Sequence, residues 1–497
     1  AATSAHSQLQ EFYRLASQVD NLLADPQAGL TPSLQRFFDA VNGVANDPTS
    51  VPARQVLLSE AQSLADRFHY LDQRLSDLGA GVNTQITNQV SEINSLASGI
   101  AEINRQVVLS SGAASGQPAN DLFDRRDELV RQLAERVAVT TVPQDDGSLN
   151  VFIGNGQTLV IGATSTRLNV IGNPYDPTRK EVALTSGAVN TIVSDLLTGG
   201  SLGGALQFRS QMLDSAQNTL GRTAIGLATA FNAQHRLGQD LNNALGGDFF
   251  ATIDVSSPRV LSTSAATVAV SVTNASALTT SDYRLDYDGA TYTVTRLSDN
   301  SAVYSNAAFP GAIASEGLTF TLSAGVVAAG DSFLIQPTRT AARDIGVAMN
   351  DVRRIAAAAP IRTAAATNAI GVPSNTGNGA ISVGSVSNTT NLPLAANITL
   401  TFDAALNQFN VVGGPGGTIA YNPATQSAGA SYTFAGYGGI SFTLSGVPQT
   451  GDSFVISNNT GGVSDNRNAL QLADVRNRTV LDGGITTVGG SYGQLVA

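Results

Sequence analysis

Apolar residues recur at steps of three and four between residues 57 and 107. The series is Leu57, Ala61, Leu64, Phe68, Leu71, Leu75, Leu78, Val82, Ile86, Val90, Ile93, Leu96, Ile100, Ile103 and Val107. Such steps form the heptad seam of helices that pack along their length. A helix over residues 53–109 would be about 85 Å long, which is rare in globular proteins. The sequence therefore predicts a coiled-coil-like bundle built on one very long helix.

A second seam of the same kind follows over residues 202–234. We expect these two helices to pack lengthwise because their spacing matches. The candidate helix-packing residues in the two seams are Leu57, Leu64, Phe68, Leu71, Leu75, Leu78, Leu213, Leu220 and Leu227.

Shorter elements complete an N-terminal domain over residues 1–250. Helices are predicted over residues 7–23 and over residues 120–137. Another predicted helix begins at Thr31, with Thr31 as the cap and Pro32 in the first turn. The apolar period then changes to two, which predicts a β-hairpin region at about residues 139–190. Its predicted strands are 139–141, 149–153, 158–161 and 166–170.

An internal repeat marks two β modules. GLTFTLS at residues 317–323 matches GISFTLS at 439–445, and Gly-Asp-Ser-Phe occurs at both 330–333 and 451–454. We predict one shared β fold for residues 269–335 and 380–456, with Phe333 and Phe454 in equivalent core positions. Asp331 and Asp452 are interpreted as turn residues, since one carboxylate is too few for a calcium site.

The order of these segments predicts an α+β multidomain protein with the two all-β modules inserted into a helical domain. The first module is placed at residues 254–340, a helical and linker connection at 341–379 and the second module at 380–460. Residues 461–497 then return to the helical domain. On this view the chain enters one long insertion near Asp254 and leaves it near Gly461. Removal of residues 255–460 should therefore be tolerated.

Composition narrows the possible partners. The formal net charge is −11, so a nucleic-acid partner is not expected. Apolar runs of about 18 residues are absent from the sequence, so a membrane partner is not expected either. The chain has no cysteine. This absence fits either a chain that happens to lack thiols or one that is exported unfolded.

The sequence offers no chemistry typical of an enzyme. The three histidines His6, His69 and His235 are far apart, and they are interpreted as residues on the polar faces of helices. No catalytic residue, cofactor or metal site is predicted, and we expect the protein not to be an enzyme. The charged cluster Asp124, Arg125, Arg126 and Asp127 is interpreted either as a solvated helix face or as a subunit contact.

Six short motifs in this order resemble the bacterial flagellar hook-associated protein 1 family. They are DPTSVPAR at 47–54, NDLFDRRDELV at 120–130, GNGQTLV at 154–160, GGSLGGALQFR at 199–209, FNAQH at 231–235 and GGDFF at 246–250. The similarity is strongest over residues 1–250 and 465–497. Members of this family carry further terminal helical segments, so the resemblance implies a core fragment that lacks both.

The resemblance implies a secreted structural protein of the extracellular bacterial flagellum that joins hook to filament and is needed for filament assembly and motility. Implied partners are copies of itself in a ring or tube, the hook protein, the adjacent hook-associated junction protein and an export chaperone that binds a segment absent here. Type III export as an unfolded chain fits the lack of cysteine. The alternative is an adhesin or phage tail-like protein with β heads on a helical stalk.

Overall fold

The fold is given by a computed structural model. It describes residues 2–27, 29–112, 120–186, 189–255, 259–260, 266–309 and 312–496. The predicted α+β multidomain fold class is confirmed: long helices form one body, and two all-β modules are attached to it.

Four helices open the chain. They are α1 (Ala2–Leu23), α2 (Leu30–Asn46), α3 (Val51–Gly112) and α4 (Asn120–Arg136). The long helix α3 has 62 residues, somewhat more than the seam alone predicts. The predicted cap at Thr31 is wrong, because α2 begins at Leu30 behind Gly29 and has no side-chain cap. A Cβ atom at Gly29 would lie 2.6 Å from the Asp25 carbonyl oxygen, so this tight approach favours glycine.

Two antiparallel sheets follow. The first contains β1 (Val139–Pro143), β2 (Leu149–Ile153), β3 (Gln157–Ile161) and β4 (Thr164–Ser165) in that order; the second contains β5 (Leu168–Gly172), β6 (Lys180–Ser186) and β7 (Val189–Ile192). Strands β6 and β7 were not predicted as separate elements. Two asparagines of α3 bind the sheets. Asn104 exchanges hydrogen bonds of 2.8 and 3.0 Å with the backbone of Leu149, and Asn94 exchanges bonds of 2.8 and 2.9 Å with the backbone of Leu168.

The second seam is not one regular α-helix. It contains α5 (Gly200–Phe208), a π-helical turn (Arg209–Leu213) and α6 (Asp214–Arg236). The π turn coincides with Arg209, a buried charged residue within an otherwise largely apolar seam. Helix α3 contacts all three parts, and the Leu213 side chain lies against Gly79.

The first module comprises β8 to β15. These are β8 (Arg259–Val260), β9 (Thr267–Val272), β10 (Tyr283–Tyr287), β11 (Tyr292–Arg296), β12 (Ser301–Asn306), β13 (Ala312–Ser315), β14 (Leu318–Ala324) and β15 (Ser332–Ile335). They form a five-stranded sheet, β12-β11-β10-β15-β8, and a three-stranded sheet, β13-β14-β9.

Residues 337–360 return to the helical body before the second module begins. We call them the strap. The only regular elements in the strap are α7 (Ala341–Asp344) and a 3₁₀ turn (Val352–Arg354), so the predicted helical connection is mostly irregular backbone. The apolar side chains of the strap lie in the same core as α1, α2 and α3; they include Ile345, Met349, Ile355 and Ala357.

The second module comprises β16 to β23 and one helical turn. These are β16 (Ile361–Ala365), β17 (Ala380–Ile381), β18 (Ile398–Asp403), β19 (Gln408–Val412), β20 (Thr418–Ala420), α8 (Pro423–Gln426), β21 (Ala430–Phe434), β22 (Ile440–Ser445) and β23 (Ser453–Asn458). Its sheets are ordered β16-β23-β18-β19-β20 and β17-β22-β21. Strand β16 pairs with β23, so this module begins at Ile361 and not at residue 380.

The two modules have identical topology, as the repeat predicts. Counting strands from the start of each module, both have sheets in the order 5-4-3-8-1 and 6-7-2. Phe333 pairs with Leu285 in the first module, and Phe454 pairs with Leu400 in the second. Both phenylalanines are buried, and the prediction that they occupy equivalent core positions is confirmed.

After the second module the chain returns to the helical body. The last elements are α9 (Arg467–Asp474), β24 (Thr479–Leu481), β25 (Thr486–Thr487) and α10 (Val488–Leu495). The buried Tyr492 hydroxyl donates to the Leu23 carbonyl at 2.6 Å and accepts from the Leu30 amide at 3.2 Å. The helical body is therefore assembled from three separate parts of the sequence: residues up to about 253, the strap and residues from about 459.

The structure differs from the prediction of one long insertion. The chain leaves the helical body twice, and both excursions begin and end at paired backbone. The Ala251 amide donates to the Gly346 carbonyl at 2.7 Å beside the first module. The Asn459 amide donates to the Pro360 carbonyl at 3.0 Å beside the second. The modules are therefore two independent insertions, and residues 255–460 also include core residues of the helical body.

Candidate functional site

Two separate depressions lie along α3 in its second half. Residues 81, 85, 88, 92, 99, 102 and 106, spaced by three, four or seven positions, line them. We call the two depressions together the α3 groove. Its lower part, beside α1 and α5, has a volume of about 430 Å³. Its upper part, beside α4, has a volume of about 610 Å³.

The two parts of the α3 groove differ in chemistry. The upper part has an apolar floor that includes Ile103 and Leu129, with Gly99 between the helices. A Cβ atom at Gly99 would lie 3.0 Å from the Leu129 side chain, so glycine lets α3 and α4 approach closely. The lower part is polar, and it contains the buried Gln89 side-chain oxygen and the buried Ser201 hydroxyl, neither of which has a hydrogen-bond partner.

The four charged residues at 124–127 lie in different environments. Asp124 and Arg125 are exposed and line the upper part of the α3 groove. Arg126 turns inward: its guanidinium donates to the Gly147 carbonyl at 2.8 Å and lies 5.0 Å from the Phe123 ring centroid. Asp127 is exposed outside the groove lining. Arg126 therefore holds the β1–β2 turn, while Asp124 and Arg125 are available to another molecule.

The residues of the two seams lie in the interior of the helical body. Eight of the nine candidates are at most 3% exposed, and Leu78 is half-buried against the same core. This core is continuous along α3, so the seam positions are packing residues and carry no chemistry of their own.

The three histidines, predicted to lie on polar helix faces, have different environments in the structure. His6 is exposed, and the His69 ring nitrogen Nε2 lies 2.6 Å from the Ile345 carbonyl. His235 is fully buried, which contradicts its prediction. Its Nδ1 lies 2.7 Å from the Gly247 carbonyl, and its Nε2 accepts from the Ala356 amide at 2.9 Å. This pair of contacts requires the neutral ring, because a protonated Nε2 could not accept from an amide.

Acid is expected to destabilise the helical body through His235. Burial lowers the pKa of His235 to about 4, so between pH 6.5 and 4 the unfolded chain binds a proton that the folded chain does not. We expect this group to reduce the free energy of unfolding by about 2 kcal/mol between pH 7 and pH 5. Chemical denaturation at both pH values measures the change, and a His6→Gln variant, changed at an exposed site, should show the same change.

Asp72 should oppose this effect. Burial raises the pKa of Asp72 to about 6. The contribution of this carboxyl to the free energy of unfolding therefore falls as the pH rises from about 4 to 6. An Asp72→Asn variant should therefore lose more stability than the wild type between pH 7 and pH 5, by about 1 kcal/mol. Equal losses in the two proteins would contradict the assignment.

A buried ion network joins the first module to the helical body. Arg339 of the strap pairs with Asp214 of α6 at 2.6 Å and with Asp282 of the first module at 2.5 Å. Arg179 and Arg209 extend the network through Asp214 and Glu181. The arginines keep the pKa of Asp214 below its ordinary value despite burial. These residues are far apart in sequence, and the local sequence signal for the site is the charge of Arg209 within an otherwise largely apolar seam.

The repeated aspartates close turns, as predicted. The Asp331 carboxylate accepts from the Ala328 amide at 2.7 Å, and the Asp452 carboxylate accepts from the Gln449 amide at 2.8 Å. Within the described ranges, no group of three or more histidine or acidic side chains could hold a metal ion. In the same part of the chain, no helix is long and apolar enough to cross a membrane.

Comparison with known proteins gives consistent matches. A family model described as "Flagellar hook-associated protein FlgK helical domain" matches residues 16–250, and "Flagellar hook-associated protein 1, D2-like domain" matches residues 260–337. Flagellar hook-associated protein 1 of Salmonella typhimurium is 37% identical over 72% of this chain and 65% of its own length. The Escherichia coli protein is 36% identical over 72% of this chain and 66% of its own length.

A solved structure extends the match to the whole chain. The flagellar hook junction protein FlgK from Burkholderia pseudomallei is 34% identical, with a TM-score of 0.89, and the match covers 100% of this chain and 93% of that one. The chain belongs to the flagellar hook-associated protein 1 family.

This member of the hook-associated protein 1 family matches less than two thirds of the length of its Salmonella and Escherichia relatives. The helical-domain model stops at residue 250, but the strap, α9 and α10 complete the same body in three dimensions. The D2-like match coincides with the first module.

Proposed function

We propose that this chain is the core of a structural subunit of the bacterial flagellum that joins hook to filament. The observation that carries the proposal is the match over the whole chain to a flagellar hook junction protein at 34% identity and a TM-score of 0.89. The role is non-enzymatic: the subunit is secreted and self-assembles with copies of itself in a ring or tube.

The proposed neighbours follow from the names of the relatives. A junction protein must contact the hook protein on one side and the next hook-associated protein on the other. An export chaperone is proposed to act on a segment outside this chain. The exposed charges Asp124 and Arg125 beside the α3 groove support a subunit contact there.

Deletion of the gene in the source bacterium tests the proposal. We expect cells with bare hooks, filament protein released into the medium and loss of swimming, all restored by the complete wild-type protein. As a control, the Leu71→Asp protein is expressed in the deletion strain. This protein should not fold, so it should not restore swimming. Normal filaments in the deletion strain would contradict the junction role, and a defect in surface attachment alone would favour the adhesin alternative.

A further inference from the structure

The first module shares its apolar core with the helical body. Ile225 of α6 and Ala341 of α7 are at most 3% exposed, and they belong to the same core as the strands of this module. The turn after β24 adds a backbone contact, because the Gly483 amide donates to the Ser276 carbonyl at 2.7 Å. Movement of the first module relative to the body would therefore expose apolar side chains to water.

Charge holds the first module in place as well. Arg339 of the strap lies between Asp214 of α6 and Asp282 of the module. The Arg339 side chain is 15% exposed and the Asp282 side chain is 12% exposed. Separation of the module from the body would leave poorly hydrated charges without their partners, which is far more costly than breaking an exposed contact.

The second module has a core of its own. Its buried apolar residues all lie between Ile361 and Ile456, and the partly buried apolar residues packed against them also belong to the module. Residues 361–458 carry three charged side chains, which are Arg362, Asp403 and Asp452. All three form hydrogen bonds to groups of the module itself. The second module is therefore a self-contained unit.

Two paired strands connect the second module to the helical body. Strand β16 begins after Pro360 and β23 ends before Asn459, where the Asn459 amide donates to the Pro360 carbonyl at 3.0 Å. The body holds its side of this connection, since the Asn459 side chain donates to the Ala359 carbonyl at 2.9 Å and to Asp465 at 2.8 Å. Two adjacent strands that bend together at one point have the geometry of a hinge.

Arg467 of α9 reaches across this connection. Its guanidinium donates to the carbonyls of Ile361 and Gly384 at 2.5 and 3.0 Å, and it pairs with Asp465 at 2.8 Å. The two acceptors in the module are neutral, and the Arg467 side chain is 27% exposed. Water can replace these acceptors while the ion pair with Asp465 stays. Breaking the contact therefore leaves no buried charge without a partner, in contrast to Arg339.

We propose that the second module swings as a rigid unit about a hinge at residues 360–361 and 458–459, while the first module stays fixed to the helical body. Arg467 limits the swing because it holds Gly384, which lies beyond the hinge. Relative motion is the expected behaviour of domains that share only a small polar interface. The proposal concerns motion within one subunit and is independent of the proposed junction role.

Distances between two spin labels test the hinge, because the chain has no cysteine of its own. One label is placed at Ser76→Cys on α3. The second is placed at Ser305→Cys in the first module or at Ser431→Cys in the second, and all three positions are exposed. We expect the distance distribution to the second module to be about twice as wide as that to the first. Equal widths would overturn the hinge.

Arg467→Ala tests the role of the arginine. It should widen the distribution to the second module further, by about half, and leave the distribution to the first module unchanged. The matched control is Arg362→Ala, which removes an exposed arginine that donates to Ser457 at 3.3 Å between the same two strands. The control should have the distribution of the unmodified chain.

A second variant separates this effect from a loss of folding. Arg467→Lys keeps a positive charge beside Asp465 but cannot donate to both module carbonyls from one planar group. It should widen the distribution to the second module as Arg467→Ala does, with thermal unfolding unchanged. An unaltered width in both Arg467 variants, or equal widening in Arg362→Ala, would overturn the assignment of this role to Arg467.

Discussion

A protein that lacks residues 361–458, with Pro360 joined to Asn459 through two glycines, is expected to keep its helical body folded. A protein that lacks residues 255–460 is expected to be unfolded. The first deletion removes one module at a point where the Asn459 amide already bonds to the Pro360 carbonyl at 3.0 Å. The second deletion also removes the strap, whose apolar side chains belong to the core of the helical body.

The strap also satisfies buried polar groups. Arg54 is 1% exposed, and its guanidinium donates to the carbonyls of Pro48, Val352 and Ile355, the last at 2.6 Å. Burial lowers the pKa of Arg54 to about 10, yet the group stays charged at neutral pH. Without the strap this charge and His235 lose partners and a cavity opens. We expect a loss above about 5 kcal/mol, comparable with the whole stability of a typical domain.

Circular dichroism and thermal unfolding of both deletion proteins measure the difference. The shorter deletion should retain the helical signal and a cooperative transition, and the longer one should have no transition. A third protein that lacks both modules but keeps residues 337–360 serves as the control for deletion size. A folded product from the 255–460 deletion would show that the strap is dispensable.

The Leu71→Asp variant should lose about 4 kcal/mol or more of unfolding free energy. Leu71 is 0% exposed in the continuous core along α3, and an aspartate there would be a buried carboxylate without a partner. Ser63→Asp is the matched control, because Ser63 is exposed on the same helix and Arg67 lies one turn further on. Chemical denaturation should place the control within about 0.5 kcal/mol of the wild type. Similar stability of the two variants would show that the seam is not a buried core.

Periodicity predicted the elements that local sequence controls. The seam from Leu57 to Val107 predicted α3 because each turn of that helix buries its own apolar residues. The repeated segments predicted the shared β topology because both modules use equivalent residues, such as Phe333 and Phe454, in the same strand. In both examples the residues that determine the structure are close together in the sequence.

The strap and the interior charges could not be predicted in this way. The alanine-rich run at 355–359 favours a helix by intrinsic propensity, but its backbone bonds to Gln239, His235 and Ala469 from other segments. His235 has the sequence context of a helix surface, but in the fold it is buried and accepts a hydrogen bond from the distant Ala356 amide. The α3 groove could not be predicted from the sequence either, because it is a space between α3 and neighbouring helices. Gly81 and Gly99 are its only local sequence signals.

The burial of Tyr492 against Leu23 and Leu30 sets an order of folding. Each β module is one continuous segment, so either can fold as soon as its own residues are free. The helical body needs contacts between residues separated by more than 400 positions, and such closure is slow because a long loop must be ordered first. In a chain delivered from its N-terminus, α1 could not complete its packing until α10 arrives. The helical body would therefore close only after both modules have been delivered. The helical surfaces that we propose to bind neighbouring subunits would thus be completed last, at the site of delivery.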